Sequence, residues 1–113
     1  MKKLRETDIV RACLEYLAVR KIMAWRSNSG AVKATYGGKT RFVRFNSAKG
    51  MSDICAILPG GRFCAIEVKR PGGKITKEQW AFGTDVRKAG GFAIVVTSLD
   101  DLMGFIEEVR VPF

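Results

Sequence analysis

Two carboxylates and a lysine dominate any search of this sequence for chemistry: Asp53, then Glu67 with Lys69 two residues beyond it. The run Phe63-Cys64-Ala65-Ile66-Glu67-Val68-Lys69 alternates like a strand. Cys64, Ile66 and Val68 form an apolar face, and Phe63, Ala65, Glu67 and Lys69 form the other. Opposite charges at a strand end before a Gly-rich loop also suit a solvated edge, so Glu-x-Lys alone is a weak signal. Asp53 strengthens it, because it opens the preceding run, Asp53 to Leu58, after Lys49-Gly50-Met51-Ser52. If the two runs make an antiparallel hairpin, a two-residue turn at Gly60-Gly61 sets Asp53 opposite Val68, on the wrong face. A three-residue turn over Pro59-Gly60-Gly61, or a one-residue bulge, sets Asp53 opposite Glu67. We expect the second register, without which the site does not exist.

Carboxylates brought that close repel, raising one pKa, unless a cation lies between them. Mg²⁺ favours one or two carboxylates supplemented by waters and substrate phosphate oxygens. Such an ion polarises a phosphodiester and acidifies and orients a water for in-line attack. Lys69 is placed to hold that water or to stabilise developing negative charge. Glu6 is a third candidate: it precedes Ile9, Val10 and Cys13 at helical spacing, so it points along a buried stripe. A first-turn carboxylate also complements a helix dipole, and spacing does not choose between the two roles.

The 113 residues contain no histidine, which excludes Ser-His-Asp and Cys-His catalysis, His-liganded zinc and any imidazole base. Lys and Arg total 20 against 11 Asp and Glu, a net charge of +9 that favours a polyanionic partner such as DNA or RNA. Cys13, Cys55 and Cys64 sit among apolar residues with no CxxC pair, and read as small buried side chains. The odd count and the lack of a signal-peptide pattern at Met1-Lys2-Lys3-Leu4 point to reduced thiols in a cytoplasmic, non-secreted protein. No apolar run approaches the ~20 residues of a membrane span. The length suits one domain over residues 1–113.

The elements that must position these groups follow from periodicity. Ile9, Val10, Cys13, Leu14 and Leu17 predict a helix from about Thr7 to Lys21. Val32–Tyr36 and Lys39–Phe45 predict a basic hairpin with a type I′ turn at Gly37-Gly38. After the hairpin that carries Asp53 and Glu67, Thr76 and Gln79 form a capping box, with Ile75 and Trp80 as the matching hydrophobic staple. That helix should end near Ala89, before Gly90-Gly91. Phe92–Thr97 reads as a buried strand, and Ser98 caps a last helix through Ile106. The strand-helix-strand step requires a parallel pair with a right-handed crossover, so the fold class is α/β, a mixed β-sheet flanked by helices.

The chain resembles the VRR-NUC family of the PD-(D/E)XK nuclease superfamily. The resemblance rests on Glu6, Lys49-Gly50-Met51-Ser52-Asp53, Pro59-Gly60-Gly61-Arg62, Ile66-Glu67-Val68-Lys69, Lys74-Ile75-Thr76-Lys77-Glu78-Gln79 and Ala89-Gly90-Gly91, in that order. Members commonly carry an aliphatic residue and proline before the aspartate, so Met51-Ser52 is expected to loosen the turn into Asp53. The resemblance implies a restriction-endonuclease-like core and a metal-dependent DNA nuclease. Asp53, Glu67 and the Val68 carbonyl would hold Mg²⁺ or Mn²⁺, with Glu6 at the metal directly or through water. Lys69 would assist the attacking water, and Gln79 would sit beside the site. Trp25, Arg26 and Asn28 fall where such proteins often border substrate, although core packing is the expectation for Trp25.

Stand-alone phage and bacterial members are similar to Holliday-junction resolvases that act as homodimers on branched DNA. Symmetry supports a dimer independently: one domain of this size holds one site, and paired cuts in a four-way junction need two. The expected function is therefore a structure-selective endodeoxyribonuclease with a four-way junction as substrate and no nucleotide cofactor. The alternatives are a flap, nicking or restriction-type nuclease on the same fold, or a non-catalytic basic DNA-binding module. DNA contacts are expected from Lys33, Lys39, Arg41 and Arg44 on the first hairpin, and from Lys49, Arg70, Lys74 and Lys77 around the candidate site.

Overall fold

A computed structural model describes residues 5–27, 31–44 and 49–109, and for 31–36 and 41–44 it describes the backbone. The elements in order are α1 (Glu6–Val19), β1 (Met23–Arg26), β2 (Ala31–Tyr36), β3 (Lys39–Arg44), β4 (Ile54–Leu58), β5 (Arg62–Val68), α2 (Lys77–Lys88), β6 (Phe92–Val96) and α3 (Leu99–Glu108). One sheet has the order β1-β4-β5-β6, and β2 and β3 pair as a separate two-stranded sheet. β4 runs antiparallel to both of its neighbours, β1 and β5, while β5 and β6 run parallel across the α2 connection, as the strand-helix-strand pattern required.

β4 and β5 are central, and the alternation of their side chains sorts the sheet into two faces. Ile54, Ala56, Leu58, Cys64, Ile66, Val68 and Val96 join Ile9, Val10, Cys13 and Leu17 of α1 and Leu102 and Ile106 of α3 in one core. The three cysteines are buried, as expected. Burial pushes the Cys13 thiol up to about 11 and the Cys64 thiol up to about 12, so both are unreactive structural side chains. The opposite face carries Glu67 and is covered by α2, which packs on β5 and β6. Gly37 and Gly38 have φ of 58° and 77°, the two positive values that a type I′ turn demands.

Three expectations need correction. β1 went unpredicted, because four residues with Met23, Trp25 and Arg26 exposed leave no apolar face to read. It exists through its pairing with β4, where Trp25 lies opposite Cys55. Trp25 is accordingly 42% exposed on an edge strand and does not belong to the core. β6, expected to be buried, has only Val96 buried, with Val95 48% exposed, because it forms the other edge of the sheet. Asn28, Phe45, Lys2 and Lys3 lie outside the described residues.

Candidate active site

The hairpin register decides whether a site can form. Leu58 pairs with Arg62 across a three-residue turn, and Ile54 pairs with Ile66. Continuing the ladder by one residue brings Asp53 to Glu67, the register expected from the sequence. The Val68 amide donates to Asp53 Oδ2 at 2.8 Å, and Ser27 donates its amide to the Asp53 carbonyl at 2.8 Å. Asp53 is thereby held from both neighbouring strands.

Ser52 is buried, and its hydroxyl donates to the Ile54 carbonyl at 2.9 Å. The turn into Asp53 is clamped by this bond rather than loosened, which corrects the reading of Met51-Ser52. A short hydroxyl side chain can close a local backbone turn of this kind, and proline lacks any such donor.

Glu67 is 8% exposed, a buried carboxyl at the end of β5. Gln79 Nε2 donates to its Oε1 at 2.9 Å, and Lys69 Nζ lies 4.0 Å from the same oxygen. Burial raises the Glu67 pKa, and the hydrogen-bonded, like-charged Asp53 raises it further, up to about 9. Lys69 pulls in the opposite direction and Glu6 adds to the rise. The Lys69 side chain is itself largely buried, and its amide donates to the Val96 carbonyl at 3.0 Å.

Gln79 fills both roles weighed for it. Its Oε1 accepts from the Thr76 amide at 2.8 Å and its amide donates to Thr76 Oγ1 at 3.1 Å, completing the capping box. The other end of the same side-chain amide reaches Glu67. Glu6, the first residue of α1, stands further off, with Oε2 accepting from the Arg70 amide at 3.3 Å and 3.9 Å from its guanidinium. Glu6, Asp53, Glu67, Lys69 and Gln79 are therefore gathered from four segments of chain into one neighbourhood.

The donor set suits a hard divalent cation. Two carboxylates meet on one face, and one ammonium only just reaches Glu67. No group of three or more Asp, Glu or Cys side chains forms a ligand cluster among the described residues. An ion here would draw its remaining ligands from backbone, water or phosphate, the mixed shell that Mg²⁺ favours.

Of the basic residues expected to meet DNA, Lys49, Arg70, Lys74 and Lys77 lie on segments adjoining this centre, and Lys33, Lys39, Arg41 and Arg44 belong to the separate β2–β3 hairpin. Lys39, Lys49, Arg70, Lys74 and Lys77 are exposed, and Arg70 is partly engaged by Glu6. Lys33, Arg41 and Arg44 lie on the β2–β3 hairpin, and their side chains fall outside the described residues. The sequence reading missed the Ser52 clamp and the Glu6–Arg70 link. The second joins residues 64 apart and left no local pattern to find.

The profile of the VRR-NUC domain matches residues 3–100. The chain belongs to the VRR-NUC family. Its activity is of the nuclease type, acting in DNA processing, in a family that generally uses divalent metals. A solved VRR-NUC domain is similar in structure, with a TM-score of 0.63 and 22% identity over 90% of this chain and 94% of that one. That likeness establishes the fold, a mixed α/β arrangement consistent with the PD-(D/E)XK type. A search of curated proteins returned no match. No helix among the described residues is long and apolar enough to cross a membrane.

Proposed function

We propose that this VRR-NUC protein is a metal-dependent, structure-selective endodeoxyribonuclease that cuts four-way DNA junctions as a homodimer in the cytoplasm of a bacterial cell or phage-infected host. The observation that carries the reading is the meeting of Asp53 and Glu67 beside Lys69 and Gln79 at one end of the sheet. Asp53 and Glu67 would hold Mg²⁺ or Mn²⁺, with the Val68 carbonyl as a further ligand and Glu6 reaching it through water. Bound there, the ion supplies Lewis-acid polarisation of the phosphodiester and lowers the pKa of a water.

The chain's own groups do the rest. The Val68 amide fixes Asp53, and Gln79 fixes Glu67, so both carboxylates meet their ligand already oriented. Lys69 has a largely buried side chain whose ammonium can donate to the attacking water or to a phosphate oxygen as charge builds there. Lys49, Arg70, Lys74 and Lys77 border the segments that carry these groups, and Lys33, Lys39, Arg41 and Arg44 of the hairpin would add further phosphate contacts. Together they fit a phosphate backbone.

Two-fold symmetry is the reason for a dimer. One chain offers one centre, and a junction presents two equivalent strands to be cut. The test offers linear duplex, flap and four-way junction DNA with Mg²⁺ or Mn²⁺, alongside light scattering at the working concentration. We expect paired incisions in the junction, weaker cutting of the other two, and a dimer. Preferred cutting of flap or linear DNA by a monomer would replace the junction reading with a flap, nicking or restriction-type one. DNA binding without cleavage of any substrate would leave only a basic binding module.

A further inference from the structure

Beside Glu67, a groove opens between α2 and the strands it packs on. α2 carries Trp80, Phe82 and Val86, yet none of its residues is fully buried. Gln79, Gly83 and Arg87 recur every four residues along the helix and line the groove, a span of about 12 Å. The sheet contributes the small residues Ala65 and Ala93, with Glu67 at the Gln79 end. Trp80 and Val95 also line it, 63% and 48% exposed. Ile75 is there as well, so the expected staple with Trp80 leaves most of the indole in water.

A tryptophan left this exposed beside a buried carboxylate contributes little to the core, and its use lies outside the fold. The surrounding charge identifies the ligand. Lys74, Lys77 and Arg87 are exposed around the same helix, while the aromatic ring follows Gln79 directly in sequence. Aromatic faces set among cations are the ordinary means of holding single-stranded nucleic acid, because every base offers a π-face and every phosphate a charge. Bases in an intact duplex are stacked on one another and cannot offer that face.

We propose that Trp80 is a stacking platform for an unstacked nucleobase next to the candidate site at Glu67, and so a specificity-determining residue for branched DNA. The inference rests on the nuclease reading above and refines its substrate: DNA with at least one unstacked nucleotide beside the cut. A flap provides such nucleotides in its single strand, a junction opened at its branch point exposes the faces of the bases that border the opening, and continuous duplex does neither.

The test uses the full chain with Trp25→Phe, which leaves Trp80 as the only tryptophan, in the presence of a chelator. Trp80 emission should be quenched saturably by oligothymidylate of about ten nucleotides, and not by blunt duplex of the same length. With metal present, Trp80→Ala should lower kcat/KM on branched DNA by about 5- to 150-fold, the range that one stacked base supplies. Trp80→Phe should recover most of that loss. Circular dichroism should report the same fold for each variant, since the ring is exposed. The proposal is overturned if the oligonucleotide binds by anisotropy without quenching, or if blunt duplex quenches equally. The nuclease reading fails by a different sign, the absence of cleavage in any substrate, which the metal-free fluorescence does not measure.

Discussion

Glu67→Gln should yield a metal-free protein more stable than wild type above pH 5, and one that no longer cuts DNA. In the folded wild type, burial and Asp53 raise the Glu67 pKa from the ordinary value of 4.5 to about 9. A carboxyl whose pKa is raised on folding keeps its full contribution to stability below the unfolded value. It loses that contribution steadily as pH rises toward the folded one. Wild-type stability should therefore fall between about pH 4.5 and pH 9, by an amount on the order of a few kcal/mol.

Glutamine keeps the shape of the neutral acid and has no proton to lose, so the variant's curve should be flat across that window. Asp8 and Asp101 act elsewhere. Hydrogen bonds from the backbone of Arg5 and of Thr97 hold their carboxyls below the ordinary 3.8, so their contribution is present above that pH and lost below it. Urea denaturation at pH 5 and pH 9 checks the contrast, and equal wild-type stability at both would contradict it. Mg²⁺ or Mn²⁺ should stabilise the wild type and leave Glu67→Gln unmoved. Cleavage by the variant should drop by about 10³-fold or more, the several kcal/mol that a correctly held metal supplies.

Gly50→Ala should damage the fold and the site together, although Gly50 bears no chemical group. A Cβ at Gly50 would lie 2.2 Å from the Glu78 carbonyl oxygen and 2.6 Å from the Gln79 amide nitrogen. Its φ of 73° is a second obstacle for any side chain. The loop that leads to Asp53 is thus seated directly on the first turn of α2, the turn that presents Gln79 to Glu67. An added methyl must push the two apart. We expect a loss of about 2–5 kcal/mol, from the left-handed backbone and the overpacking together. Cleavage should fall further than stability explains when it is measured below the variant's Tm, because Gln79 leaves Glu67. Gly60→Ala provides the control: its φ is also positive, at 92°, but a Cβ there meets nothing within 4 Å. Equal losses from the two substitutions would show that the close approach at Gly50 is unimportant.

The parts of this protein that were legible in its sequence are those governed by local chemistry. Thr76 and Gln79 announce a capping box by their spacing, and the bonds are present. The Pro59-Gly60-Gly61 turn fixes the register and with it the meeting of Asp53 and Glu67. Features that depend on long-range packing were not legible. β1 owes its existence to a partner 30 or so residues away, and Trp25 and Val95 are exposed because the strands bearing them ended at the edges of the sheet. Composition alone makes both look buried. The Ser52 clamp was hidden for another reason: a serine in place of an expected proline reads as a loss until the direction of its hydroxyl is known.

The central claim is that Asp53 and Glu67 form one metal-holding pair that breaks DNA. Its most direct test is cleavage of a labelled four-way junction by wild type and Asp53→Ala, each with Mg²⁺ or Mn²⁺ and with a chelator, and with binding followed separately by anisotropy. The account predicts cutting by the wild type that the chelator abolishes, and no cutting by Asp53→Ala while the variant still binds the junction. Equal cutting by the two proteins, or cutting by the wild type that survives the chelator, would contradict it.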